Sequence, residues 1–257
     1  MKRSELHMRL CTPFLALLLA AAPLAGAQPV QAQTSADLSS TEARGTLGPY
    51  RIGLNYTMRH GAELVAAHYF YVSQLKDIPL TGAVRNGEVT LHGADGSAFN
   101  LHLFGNGSDG SKPLTLDNSI GMSGTWTLGQ KTLPVRLEIA HSTANPGESL
   151  YGDGTGKSDA AFEAMVQSAR KAILAGNAAE TARYIHFPLR VNTTPRLVLH
   201  NAAQLQAHWS RTFTPALLAK LRADVPHEMF VHNGEAMLGD GELWFDESGL
   251  VAVNPVP

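Results

Sequence analysis

The stretch "GEVTLHGADGSAFNLHLF", Gly87–Phe104, decides the fold. Val89 and Leu91 alternate with Thr90 and His92, and beyond "ADGS" the residues Phe99, Leu101 and Leu103 alternate with Asn100 and His102. A period of two broken by a Gly-containing turn describes two half-buried antiparallel strands. The same pattern extends in both directions. "YRIGLNYTM" (50–58) sets Ile52, Leu54, Tyr56 and Met58 on one face, "AHYFYV" (67–72) is bulky on both, and "LPVRLEI" (133–139) aligns Val135, Leu137 and Ile139. "RNG", "GNGSDG" (105–110) and "LGQ" supply the turns. Asn86-Gly87 suits a two-residue hairpin turn, because both central positions tolerate positive φ. With no helical segment between these strands, a closed meander or sandwich is favoured over a sheet with open edges.

The run "AHYFYVSQLKDIPLTGAVRNGEVTL", followed by "MSGTWTLGQKTLPVRLEI", resembles the repeating unit of small bacterial calycin-like β-barrels. In those barrels "G-x-Y-Y", "I-x-L-x-G" and "G-T-W" strands recur; here His68 replaces the glycine before Tyr69. The resemblance covers about Tyr50–Ala140 and implies a barrel-like domain over 49–141. Before it, residues 28–48 are rich in Ala, Ser, Thr and Gln without periodicity, and are expected to form a flexible leader.

After the barrel comes "HSTANPGESLYGDGTGKS" (141–158), which imitates a phosphate-binding loop. Such a loop needs glycine five residues before the glycine of Gly-Lys-Ser, and that position is Tyr151. The segment 142–157 therefore reads as a linker.

From Ser158 the period becomes helical. Ser158 is a good N-cap, Asp159 favours the positive helix end, and Phe162, Met165, Val166, Ala169, Ile173 and Leu174 form one stripe that Gly176-Asn177 stops. A short helix over Ala178–Tyr184, strands "FPLRV" and "RLVLH", and a helix over about Ala202–Arg211 follow. Thr214-Pro215 announces another helix, and three strands close the chain: "HEMFVHNGEAML", "GELWFDE" and "GLVAVN". The segments "YIHFPLRV", "HNAAQLQAHWSRTFTPALLAKL" and "HNGEAMLGDGELWFDESGLVAVN" resemble the nuclear transport factor 2-like (SnoaL-like) fold. That resemblance implies a cone over 158–257, in which a curved sheet wraps around helices and leaves a pocket. The expected class is thus α+β: an N-terminal antiparallel β-barrel or sandwich, then a C-terminal α+β cone with a curved sheet.

Within the cone, His186 stands where a helix gives way to a strand. Pro188 pushes its predecessor towards extended backbone and suits an edge strand. If Phe187, Leu189 and Val191 share one face, His186 and Arg190 share the other. A histidine there titrates near working pH, and a base also needs a second group to orient it. The candidate partners are His232, Glu235 and Asp240, with Glu235 or Asp240 as the carboxylate. Trp244 lies between Glu242 and Asp246 on the polar side of its strand, as a pocket wall or partner contact. The expected ligand-binding residues are His186, Arg190, His232 and Trp244; His186 with Glu235 or Asp240 is the candidate catalytic pair. The eleven histidines include no His-x-x-x-His pair, so neither metal nor other cofactor is expected.

The N-terminus "MKRSELHMRLCTPFLALLLAAAPLAGAQ" has basic Lys2, Arg3 and Arg9, an apolar body and small residues at Ala25–Ala27, the pattern of a secretory signal over 1–27. Its apolar run is shorter than the ~20 residues of a membrane span. Cys11 is the single cysteine and falls inside this segment, leaving no disulfide or thiol chemistry after it. Without residues 1–27, which carry a net +2, the formal charge of −2 becomes −4. Nucleic-acid binding, which depends on basic groups at phosphates, is not expected. The expectation is an exported, periplasmic or secreted, non-catalytic binding protein for a small apolar ligand in the cone pocket or for an envelope protein. A hydrolase or isomerase using a His/carboxylate pair is the alternative. A dimerisation module pairing through the C-terminal sheet is the third.

Overall fold

The computed structural model describes residues 37–105, 114–116, 118–144, 149–151 and 156–256. The expected signal segment, residues 28–36 of the leader and most of the "GNGSDG" turn lie outside the described residues. The class is α+β: an eight-stranded closed antiparallel barrel, then a six-stranded mixed sheet with short helices.

The barrel strands are β1 (Leu38–Leu47), β2 (Tyr50–Arg59), β3 (Glu63–Tyr71), β4 (Ile78–Arg85), β5 (Glu88–Gly93), β6 (Ala98–Phe104), β7 (Gly121–Leu128) and β8 (Lys131–Ala144). Each pairs with the next, and β1 closes the ring against β8. Asn86 and Gly87 both take positive φ, 52° and 81°, between β4 and β5, as the hairpin reading requires. Ile52, Leu54, Leu91, Phe99, Leu101 and Trp126 fill the interior, so the period of two marks the inward face.

Leu38–Leu47, expected in the flexible leader, is instead β1. Its sequence "LSSTEARGTL" offers few apolar residues, but Ala43 and Leu47 are fully buried. Hydrogen-bonded pairing on both edges, with β2 and β8, holds it. At its other end β8 runs to Ala144, into the segment expected as linker.

In the C-terminal half, α1 (Asp159–Leu174) starts at Ser158, whose hydroxyl accepts from the Ala161 N–H. The Asp159 carboxylate accepts from Ser149 Oγ at 2.5 Å, Leu150 N at 2.9 Å and Tyr151 N at 3.1 Å. Residues 149–151 are thereby tied to the helix start, and Tyr151 is 1 % exposed within the core. Helices α2 (Ala178–Ala182), α3 (Ala202–Ala207), α4 (Trp209–Thr212) and α5 (Pro215–Leu221) follow. The single helix expected over Ala202–Arg211 divides at His208, where φ is −112°. Thr214 caps α5 with Pro215 in its first turn.

Strands β9 (Ile185–Val191), β10 (Leu197–Leu199), β11 (Phe230–His232), β12 (Glu235–Leu238), β13 (Leu243–Asp246) and β14 (Gly249–Val253) lie in the order β10-β9-β14-β13-β12-β11. Only β9 and β14 pair parallel. Pro188, expected on an edge strand, therefore sits on an internal one. It is accommodated because β10 pairs only from Leu189 onward and β14 is bulged opposite it. No ladder bond is asked of the missing N–H.

One face of this sheet packs on the helices. Leu189, Val191, Leu243, Phe245, Leu250 and Val253 are fully buried with Phe162, Ile173, Leu205, Phe213 and Leu217. The space between sheet and helices is occupied by core side chains.

Candidate functional site

The other face carries the residues singled out from the sequence. Strand register places Met237, Trp244, Ala252 and Arg190 in one row across four strands. Arg190, His232, Glu235 and Trp244, with Asn192 and Arg196, line an open depression of about 340 Å³. Trp244 donates its indole N–H to Gly241 O at 3.1 Å. Arg190 is held by both oxygens of Glu235, at 2.9 and 3.2 Å.

His186 is not part of that depression. Its Nδ1 lies 2.5 Å from Asp246 Oδ2, with half of the side chain exposed. The expected carboxylate partners are elsewhere: Glu235 holds Arg190, and Asp240 is 94 % exposed, 4.0 Å from Lys220. Asp246 Oδ1 also accepts from Ser248 N and Gly249 N, so the carboxylate caps the β13–β14 turn and fixes the His186 ring. Glu235 was expected beside His186 and instead holds Arg190, 45 positions away in the chain; the turn that brings Asp246 to His186 has no signature in the spacing.

A second group of polar side chains lies where the barrel meets the C-terminal half, and these residues belong to one compact unit. His227, 7 % exposed, donates one ring nitrogen to each side: Nδ1 to Glu163 on α1 at 2.6 Å, Nε2 to Asp77 after β3 at 2.9 Å. Burial alone would depress its pKa. The hydrogen bonds to Asp77 and Glu163 overcome that and raise it to about 10. Phe70 presents its ring edge-on to the imidazole, centroids 4.4 Å apart. Glu163 Oε1 accepts from Tyr151 OH at 2.9 Å and from the Glu228 N–H at 2.8 Å, while Tyr151 OH accepts from Met229 N at 2.8 Å.

Beside it, His68 Nε2 meets Glu228 Oε1 at 2.6 Å and Asp77 Oδ1 at 3.7 Å. Burial lowers the His68 pKa, but the bond and charge of Glu228, with Asp77, leave it raised. Inside β1, Glu42 is 1 % exposed and bonded by Arg44, which also donates to His227 O at 3.3 Å. Burial pushes the Glu42 pKa up to about 7 against the pull of Arg44. His141, 3.4 Å from Glu42, is held down to about 4 by burial and the Arg44 charge.

A groove of about 700 Å³ opens near this junction, between Arg51, Val72 and Leu75 of the barrel region, α1, and the chain after α5. Arg51 donates to Ala223 O at 2.9 Å, and Arg170 to Leu221 O at 2.6 Å and Arg222 O at 2.9 Å. These bonds satisfy carbonyls at and after the end of α5, where cations are favoured. Among the described residues, none of Arg51, Arg170, Lys171 and Arg222 forms a salt bridge with a carboxylate. The one acid in the lining, Asp224, has its pKa raised to about 6, by burial first and then by the charges of Glu242 and Asp240.

Sequence reading missed both junction features. The four cations are 171 positions apart at the extremes, and only Arg170-Lys171, off the apolar stripe of α1, hinted at a basic patch. No metal ligands were expected, yet His68, Asp77 and Glu228 place ligand atoms within 4.8 Å of one another. No family model, curated protein or solved structure matches this chain. Among the described residues, no helix is long and apolar enough to cross a membrane.

Proposed function

We propose that this is an exported, non-catalytic binding protein whose ligand is a small amphipathic anion, a carboxylate or phosphate ester with an apolar body, held in the groove beside α1. One observation carries the reading: four cationic side chains that form no salt bridge with a carboxylate among the described residues share a groove of about 700 Å³ with Val72, Leu75 and Leu174. Ligand sites combine apolar walls with a few placed polar groups; Arg51 and Arg170 are positioned by backbone carbonyls and keep their charge for an incoming anion, whereas the charge of Arg190 is already met by Glu235. The packed interior between sheet and helices moves the site away from the cone pocket. The helix-covered mixed sheet accords with the nuclear transport factor 2-like reading, and the closed barrel with the calycin-like one. Export rests on the N-terminal pattern alone.

A hydrolase or isomerase is the second reading, favoured by the 2.5 Å contact of His186 with Asp246. That contact leaves Nε2 free as a base. The half-exposed ring and the capping role of Asp246 favour a turn-stabilising pair instead.

The discriminating experiment is a thermal-shift series with decanoate, decyl phosphate, decanol and decylammonium, since a ligand that binds only the folded state raises Tm. The two anions should raise it and the alcohol and the cation should not. Equal shifts for all four would show that charge does not select the ligand and would overturn the reading.

A further inference from the structure

We propose that His68, Asp77 and Glu228 form a site for a divalent transition-metal ion of the zinc class, joining the barrel to the C-terminal half. The three come from β3, the segment after it, and the residue two before β11, and their ligand atoms all lie within 4.8 Å of one another. One imidazole with two carboxylates is a borderline N/O donor set, suited to zinc and its neighbours and unlike the all-oxygen cages of calcium or magnesium.

The geometry suits one ion. Metal bonds of roughly 2.0–2.2 Å in a tetrahedron put ligand atoms about 3.4 Å apart. His68 Nε2 and Asp77 Oδ1 are already 3.7 Å apart. His68 Nε2 and Glu228 Oε1, at 2.6 Å, share a proton, and a cation taking its place asks for an opening of less than about 1 Å. Glu228 itself points to a missing partner. Its side chain is 12 % exposed, and Oε2 is buried without a hydrogen bond. A hydrogen-bonded His–Glu pair explains Oε1 and leaves Oε2 unsatisfied, whereas an ion held by both oxygens of this carboxylate uses it.

The surroundings are those of a supported site. Metal-ligating groups are oriented by further hydrogen bonds from outside the ligand set. Here Asp77 accepts from His227 Nε2, His227 is fixed by Glu163, and Glu163 accepts the Glu228 N–H. One buried carboxylate thus orients both anionic ligands. Two carboxylates and a neutral imidazole balance a dication, and Asp77, about half exposed, leaves a path from solvent.

The test uses the full chain after chelator treatment. Zinc should bind at one equivalent per chain by calorimetry and raise Tm, and cobalt should give a visible ligand-field band. His68→Ala, Asp77→Asn and Glu228→Gln should each weaken binding about tenfold or more, while His102→Ala, at the exposed pair with Glu88, should leave it unchanged. If Glu228→Gln fails to fold, Asp77→Asn, on a half-exposed side chain, still decides the matter. Absence of binding by either ion overturns the proposal, as does stoichiometric binding that His68→Ala and Asp77→Asn leave intact. The site shares no residue with the groove, so the two readings fail separately.

Discussion

His68 and Glu228 are 160 residues apart in the chain, yet Nε2 of one lies 2.6 Å from Oε1 of the other. The barrel is joined to the C-terminal half here through ionisable groups. Burying such groups is costly, and removing one partner strands the other. With chelator present, His68→Ala should destabilise the protein by about 2–3 kcal/mol. A double-mutant cycle with Glu228→Gln in urea should return a coupling energy of about 1 kcal/mol or more. A coupling near zero would mean that the contact contributes nothing to holding the halves together.

Tyr151 makes a related case inside the segment that reads as a linker. Its hydroxyl donates to Glu163 and accepts the Met229 N–H. Tyr151→Phe keeps the ring but leaves that N–H buried and unpaired, at a cost of about 1–3 kcal/mol. Chemical denaturation should show this loss with an unchanged slope. A neutral substitution would mean that residues 149–151 do not dock on the core.

The barrel strands were legible because side-chain alternation is local: Val89 and Leu91 declare their inward face within one strand. Strand β1 was not, since "LSSTEARGTL" has only scattered apolar residues and its place depends on closure against β2 and β8. The C-terminal elements were legible from caps and stops such as Ser158 and Thr214. His186, Arg190, His232 and Trp244 were expected to line one pocket; Arg190, His232 and Trp244 share the open depression and His186 lies outside it, because alternation within a strand does not fix how far along the sheet a residue sits. The pairings of His186 with Asp246 and of His227 with Asp77 and Glu163 depend on turn and packing geometry, which no spacing encodes.

His227 sets a pH dependence for the chelated protein. Its pKa is about 10 in the folded state against an ordinary value near 6.5. A raised pKa means the folded state binds the proton more tightly, so this stabilisation is complete below about pH 6.5 and fades as pH rises through about 10. The urea midpoint should fall between pH 7 and pH 10. His227→Gln should lower the midpoint at pH 6 and flatten its decline at higher pH. An identical slope in wild type and variant would assign the dependence to other groups.

Occupation of the groove beside α1 by an amphipathic anion makes Lys171 a ligand contact. Calorimetric titration of decyl phosphate into wild type and Lys171→Glu tests it most directly, because Lys171 is exposed and forms no salt bridge among the described residues. One-site binding to wild type should weaken about tenfold in the variant, ~1.4 kcal/mol. Binding of decyl sulfate, whose single charge does not change over this range, should tighten in wild type as pH falls from 7 to 5, because Asp224, with a pKa of about 6, loses its charge while the arginines keep theirs. Equal affinity in wild type and Lys171→Glu, with binding lost instead in Trp244→Ala, would place the ligand on the open sheet face and contradict the account.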